Sequence, residues 1–379
     1  MLPDFGKASE SVRGAAASIV AIAHGWQVFL YPFDADALPF KVLGSLATWS
    51  VATFFLLSGI LIAISVKSRS SDRFDFTKFI AARSLRIFPP LVLAIIVTVG
   101  AVMIIQYFDL YGAKNYLLPG DEAVAREFAY FSWSDAFSTL TLTYNLIPDV
   151  GFLSFNGPLW SLSYEFWLYV LAGLFASGLL NRSLSALIGA TVLAAWMIFI
   201  SNSIPPFWSV GVVWGLGFLL GWHWRVASAI ATEWLLTISI ACLLFSLVVA
   251  RDDLNTYIVS AYTGVRQQTF YVTFSAFISC LLILFLRSGL KDGMVIRSFA
   301  FIGSFSYTLY LIHFPLYLFV FSLFRPYILA YGLLGHVIMS FFAVFFVFIA
   351  AAISGHFVED RPRIKTLITR ATGMVGARP

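Results

Sequence analysis

The chain has 379 residues and a mass of 42.1 kDa; 60% of the residues are hydrophobic, only 11% are charged, and the mean hydropathy is +0.88. A soluble domain carries about 25% charged residues, so this composition excludes a soluble globular enzyme, a disordered chain and a secreted disulfide scaffold. The formal net charge of +5 is modest for so long a chain and calls for no nucleic-acid partner.

Runs of about 20 residues with few charges predict an all-α, polytopic integral membrane protein with about ten transmembrane helices in one membrane domain, 1–379. The spans are 14–33, 43–66, 85–107, 157–180, 184–201, 205–222, 229–250, 268–286, 299–323 and 333–357. The opening MLPDFGKASES makes a poor signal-peptide n-region, so the first span is expected to be retained. With the N-terminus in the cytoplasm, the outer loops hold only Lys41, Lys114, Arg126, Arg251, Arg266 and Arg325 of the 24 Lys and Arg residues. That bias fits the positive-inside rule and predicts both termini in the cytoplasm, as in a multi-pass protein of the cell inner membrane. Cys242 and Cys280 each lie within an apolar run, where thiols act as small hydrophobes; no disulfide and no metal site is implied.

The one long outer loop, 108–156, sets Asp109, Asp121, Glu122, Glu127, Asp135 and Asp149 against Lys114 and Arg126. With Trp133 and several Phe and Tyr, it suits a short helix lying in the membrane interface. Either a lid or acceptor-facing role, or a plain interfacial connection, fits its length. The tail beyond residue 358 is short and basic and offers no second domain.

Ionisable groups inside hydrocarbon are costly, so they are where function is sought first. In the first span, Arg13 and His24 are eleven residues apart, which puts them on one helix face with a rise of about 16 Å. A cation at the headgroup level below a titratable base suits an anionic molecule entering from the cytoplasm, although a topology anchor and a packed histidine would look the same. The second inner loop, VKSRSSDRFDFTKFIAARSLRIFPP, holds six cations and two acids, with Arg83 and Arg86 neighbours on one face before Pro89 and Pro90. Guanidinium forks take phosphates, so this is a candidate cradle for a nucleotide-bearing donor; a plain positive-inside loop is equally basic.

The stretch NGPLWSLSYEFWLYVL opens the fourth span and carries Glu165, which can orient a histidine, receive a proton or tie down a helix start together with Ser161 and Ser163. In SFSYTLYLIHFPL, Ser306, Tyr310 and His313 form one polar stripe at i, i+4 and i+7, read either as part of a catalytic site or as a packing network. His356 lies near the inner boundary of the last span.

Six pieces together resemble the membrane acyltransferase family 3, the cell-surface O-acyltransferases: VRGAAASIVAIAH with its arginine-to-histidine spacing, FFLLSG, ARSLRIFPP, GPLWSLSYEFWLY, SYTLYLIH and HFVEDRPR, in that order over nearly the whole chain. The resemblance implies ten or so helices, no permanently bound cofactor, a cytoplasmic acyl-CoA co-substrate, usually acetyl-CoA, and an acceptor hydroxyl, often on a glycan at the outer face. It implies that Arg13 and His24 are the essential first-helix pair, that Arg83 and Arg86 are donor-side arginines, and that Glu165 is the glutamate of the tryptophan-serine motif, here followed by Phe166 where a second acid or polar residue is common.

The expected activity is therefore transfer of an acyl group, most simply acetyl, from acyl-CoA to a hydroxyl of a surface polysaccharide or its lipid-linked precursor. Arg13, Arg83 and Arg86 hold the donor's phosphates, and His24, oriented by Glu165 or His313, acts as general base or carries the acyl group itself. Ser163, Ser306 and Tyr310 support the site. The rival is a transporter in which Glu165, His24 and His313 relay protons; dependence on an acyl-CoA donor separates the two.

Overall fold

In lipid every backbone polar group must find its partner within the chain, and helices meet that demand segment by segment. The computed structural model describes residues 3–30, 38–68, 73–114, 128–201, 207–250, 265–287, 293–360, 364 and 366, and among them the regular structure is helical. The elements are α1 (Pro3–Phe29), α2 (Leu38–Lys67), α3 (Phe76–Tyr107), α4 (Trp133–Thr141), a 3-10 turn (Ser154–Leu159), α5 (Trp160–Leu180), α6 (Leu184–Phe199), α7 (Phe207–Trp222), α8 (Trp224–Ala227), α9 (Thr232–Ala250), α10 (Val265–Arg287), α11 (Met294–Gly303), α12 (Ser306–Ala330) and α13 (Gly332–Val358).

Among the described residues, five stretches are long and apolar enough to cross a membrane: Leu46–Lys67, Phe76–Tyr107, Ser154–Leu180, Ser306–Ala330 and Gly332–Val358. Shorter apolar helices accompany them, and the chain is a multi-pass membrane protein. Of the expected loop and tail charges, Arg69, Asp121, Glu122, Arg126, Glu127, Arg251 and Lys291 and the cations from Arg361 on lie outside the described residues.

The last helix packs as a helix in lipid does, with small residues toward the bundle and large side chains outside. On α13 the buried stripe is Gly335, His336, Ser340, Ala343, Val347, Ala351 and Gly355, at helical spacing. Phe341, Phe345, Ile349 and Ile353 are exposed on the other side. Two glycine contacts set the closest approaches. A Cβ on Gly14 of α1 would strike the Phe299 carbonyl of α11, and one on Gly303 would strike the Glu10 carbonyl of α1. Likewise Gly59 of α2 lies on the Trp214 carbonyl of α7, and Gly217 of α7 lies on the Leu56 carbonyl. These contacts seat α1 against α11, and α2 against α7.

One end of the bundle gathers the start of α1, the end of α2 and the start of α12. There Ser11 Oγ donates to the Ile296 carbonyl (3.1 Å), Lys67 Nζ to the Trp222 carbonyl (2.8 Å) and the Thr308 amide to Glu359 Oε1 (2.7 Å). At the opposite end His336 Nδ1 donates to the Phe29 carbonyl at 2.6 Å, tying α13 to the end of α1.

The helix bounds differ from the expected spans at two places. The stretch 299–323 is not one helix: α11 ends at Gly303 and α12 starts at Ser306, because Gly303 must lie against the α1 backbone and Ser306 Oγ turns back to the Gly303 carbonyl (2.9 Å). α3 begins at Phe76 rather than 85, since Asp75 caps it by accepting from the Lys78 amide at 2.9 Å. Hydropathy misses such a start because its first turns are polar.

Within 108–156, α4 is the short amphipathic helix the loop suggested, with Trp133 81% and Phe137 67% exposed. The segment that follows is a plug. Leu142, Tyr144, Leu153 and Phe155 are buried, and Trp167 Nε1 and Trp196 Nε1 both donate to its carbonyls, at Leu142 and Leu146 (2.7 Å each).

The glycine contacts carry a prediction. Gly217→Ala should destabilise the purified protein by about 1–3 kcal/mol through overpacking against Leu56. Gly211→Ala, where nothing lies within 4 Å, should be neutral or stabilising by up to about 1 kcal/mol. Thermal unfolding in detergent reads both.

Candidate active site

Two imidazoles meet in the bundle interior. His24 Nδ1 lies 2.7 Å from His313 Nε2, and the rings are stacked with centroids 5.0 Å apart and planes 7° from parallel. His313 is fully buried, and its Nδ1 lies 3.0 Å from the Leu309 carbonyl one turn earlier on α12. A carbonyl only accepts, so His313 Nδ1 carries the proton. With both rings neutral, His313 Nε2 is then an acceptor and His24 Nδ1 donates to it. The ring proton of His24 is thereby fixed on Nδ1 and the lone pair on Nε2, the form of imidazole that takes a proton from a hydroxyl.

Proline chemistry holds this arrangement in place. Pro315, two residues past His313, has no N–H to give to the Leu311 carbonyl. Asn156 of the 3-10 turn supplies the missing donor: its Nδ2 reaches the Leu311 carbonyl at 2.9 Å and Thr98 Oγ1 of α3 at 3.1 Å. The level of α12 that carries His313 is thus pinned to α3 and to the approach of α5.

On the side of the pair toward the starts of α1 and α12 lie two chambers that share lining residues. The inner one, a narrow cavity of about 50 Å³, is lined by apolar residues of α2 and by Arg13, Arg86, Ser161, Glu165, Tyr307 and Tyr310. The outer vestibule, about 430 Å³, is lined by Glu10, Arg13, Arg86, Tyr307, Glu359 and Asp360 among others. Arg13, Arg86, Ser306 and Tyr307 belong to both and form the neck. The inner chamber stops at Tyr310, whose ring centroid is 5.9 Å from that of His313 and 5.7 Å from that of Phe54. One aromatic layer therefore separates it from the imidazoles. Such a site can hold an anion at the neck and direct a slender chain toward His24.

The family model of the acyltransferase 3 type, described as an acyltransferase domain, matches residues 7–355. The chain belongs to this family. An O-acetyl transferase of Shigella phage Sf6 is 30% identical over 203 residues, which is 52% of this chain and 51% of the phage protein. The chain thus spans about half the length of that curated relative. No solved structure matches.

The residues singled out in the sequence fall into three places. Arg13, Arg86, Glu165, Ser306 and Tyr310 line the inner chamber, and His24 and His313 form the pair beyond it. Arg83 lines neither chamber. Its Nη2 donates to Ser65 Oγ (2.8 Å) and its guanidinium lies 5.9 Å from the Tyr169 ring centroid. A three-residue offset leaves about 60° between two side chains, enough to send Arg83 toward α2 and α5 and Arg86 toward the neck. Glu165 accepts from Tyr169, whose hydroxyl in turn accepts from Ser58 (3.0 Å), and it lines the inner chamber together with Arg86; this carboxylate engages tyrosine rather than an imidazole. Ser163 also lies away from the chambers, donating to the Leu142 and Tyr144 carbonyls of the plug (2.9 and 2.6 Å). Its neighbour Ser161 instead meets the Tyr310 hydroxyl at 2.9 Å, and Tyr310 donates to the Pro158 carbonyl at 3.1 Å. His356 is exposed at the end of α13.

Sequence reasoning passed over Asn156, Tyr307, Glu359 and His336. For Asn156 the signal was available, since a proline two residues after His313 leaves a carbonyl that some other donor must satisfy. Glu359 lies just past α13, accepts from the α12 amide of Thr308 and faces Arg13 and Arg86. Burial raises its carboxyl above the ordinary range, against the opposing pull of Thr308 and the two arginines.

Asn156→Ala should strand the buried Leu311 carbonyl and destabilise the protein by about 1–3 kcal/mol. In a Pro315→Ala background, where residue 315 again supplies an amide, the same substitution should cost less. A double-mutant cycle on thermal unfolding measures the difference, and equal costs in both backgrounds would refute the link.

Proposed function

We propose that this protein is an O-acyltransferase of the cell inner membrane that takes an acyl group, acetyl in the simplest case, from acyl-CoA on the cytoplasmic side. The acceptor is a hydroxyl of a surface glycan or of its lipid-linked precursor, reached from the other side of the bilayer. About ten crossings with both termini in the cytoplasm place the vestibule toward the cytoplasm, in keeping with the distribution of Lys and Arg. Family membership and the name of the phage relative support the chemistry.

The observation that carries the reading is the 2.7 Å contact between His24 Nδ1 and His313 Nε2. It leaves the lone pair on His24 Nε2, which takes the proton of the acceptor hydroxyl as its oxygen attacks the thioester carbonyl. The C–S bond breaks, the thiolate of CoA leaves, and the imidazolium returns the proton to it. His313 stabilises the transient cation through its Nε2 lone pair and acts as a positioning residue. Arg13 and Arg86 at the neck hold the donor's phosphates, while Arg83 braces α3 against α2. The thioester then has to pass the Tyr310–Phe54 layer to reach the imidazole.

The alternative proton relay needs Glu165 to connect with the histidines. Its hydrogen bond with Tyr169 favours the acyltransferase reading.

His24→Ala should abolish acyl transfer from acetyl-CoA while the amount of protein in the membrane stays normal; retained transfer would remove His24 from the chemistry. His313→Gln, whose amide oxygen still accepts from His24 Nδ1, should keep more activity than His313→Ala, which should lose at least about a hundredfold in kcat. Mass spectrometry of surface glycans from cells with and without the gene should find an ester lost with the gene. An unchanged ester pattern would count against a glycan acceptor.

A further inference from the structure

Of the four residues that form the neck, three have an evident task. Arg13 and Arg86 supply charge, and Ser306 Oγ closes the turn onto the Gly303 carbonyl. Tyr307 does not. Its hydroxyl oxygen is enclosed yet has no hydrogen-bond partner, while its ring lies 5.9 Å below the Arg86 guanidinium and borders both chambers. An enclosed hydroxyl without a partner costs about 1–3 kcal/mol, and a phenylalanine would fill the same space without that cost. Its position is therefore informative: the residue that carries this hydroxyl lines both chambers.

From the donor reading above, on which this step rests, we infer that the Tyr307 hydroxyl is a recognition group for the arm of the donor. The phosphates stop at the guanidiniums of the neck, and the reactive end must reach the level of His313, six residues further along α12 and so about 9 Å away. What spans that gap is a slender chain. In CoA it carries amide groups, whose carbonyl oxygens accept hydrogen bonds. A phenol at the neck that lacks a partner in the empty protein gains one when such a carbonyl arrives, whereas a donor with a plain alkyl arm leaves it unsatisfied. The neck thereby selects on two counts: the arginines require an anion and Tyr307 requires an acceptor oxygen on the chain behind it. Free nucleotides and fatty acids each meet only one of these conditions.

Binding of CoA, and of adenosine bisphosphate as the fragment without the arm, to the full chain in detergent tests this directly. Tyr307→Phe should weaken CoA about tenfold, leave the bisphosphate within about twofold, and melt at the same temperature as the wild type or higher. Arg86→Gln, as a control, should weaken both ligands. Unchanged CoA affinity in Tyr307→Phe, equal losses for both ligands, or a lower melting temperature would overturn the inference, the last two by showing that the hydroxyl is structural. A wild-type protein that binds neither ligand would sink the donor reading itself, and the role of Tyr307 with it.

Discussion

A hydrogen bond between two imidazoles, inside a bundle whose interior is otherwise mostly apolar, sets the chemical state of the candidate active site. Its direction is dictated from one end: the Leu309 carbonyl can only accept, so it fixes the proton of His313, which fixes that of His24. The lone pair that results on His24 Nε2 is a consequence of backbone geometry on α12 rather than of any nearby carboxylate. This contrasts with the arrangement in which an acidic side chain orients the base, and it explains why Glu165 is available for a different task beside Arg86 and Tyr169.

That bond persists only if α1 and α12 keep their register. Three features hold it. The glycine contact between Gly14 and α11 brings α1 close, the Glu359 carboxylate grips the first turn of α12, and Asn156 replaces the donor that Pro315 removes. Each trades a polar or steric requirement on one helix for a partner on another. In lipid, where apolar burial gives little drive for helices to associate, such matched pairs and close small-residue contacts are what distinguish one bundle arrangement from its alternatives.

Charge is graded along the path. The vestibule mixes Arg13 and Arg86 with Glu10, Glu359 and Asp360, so it is far from a uniformly positive funnel. The inner chamber keeps the two arginines and one carboxylate, and the histidine pair lies beyond that lining. An anion is therefore favoured at the neck and disfavoured above it, which suits a ligand that is charged at one end only.

The amino-acid sequence by itself determined the solvent, the helical class and the shortlist of intramembrane polar residues, because hydrocarbon penalises charge so heavily that the few exceptions stand out. It also placed Arg13 and His24 on one face, and Ser306, Tyr310 and His313 on another, since helical periodicity is local. Only the tertiary structure decided which of those faces meet. It paired His24 with His313, parted Arg83 from Arg86, gave Glu165 to Tyr169 and assigned Ser163 to the plug, because each outcome depends on contacts between segments far apart in the chain. Helix starts at Phe76 and Ser306 escaped hydropathy for the same reason: a side-chain cap and a glycine packed on a neighbouring backbone, not apolar length, set them.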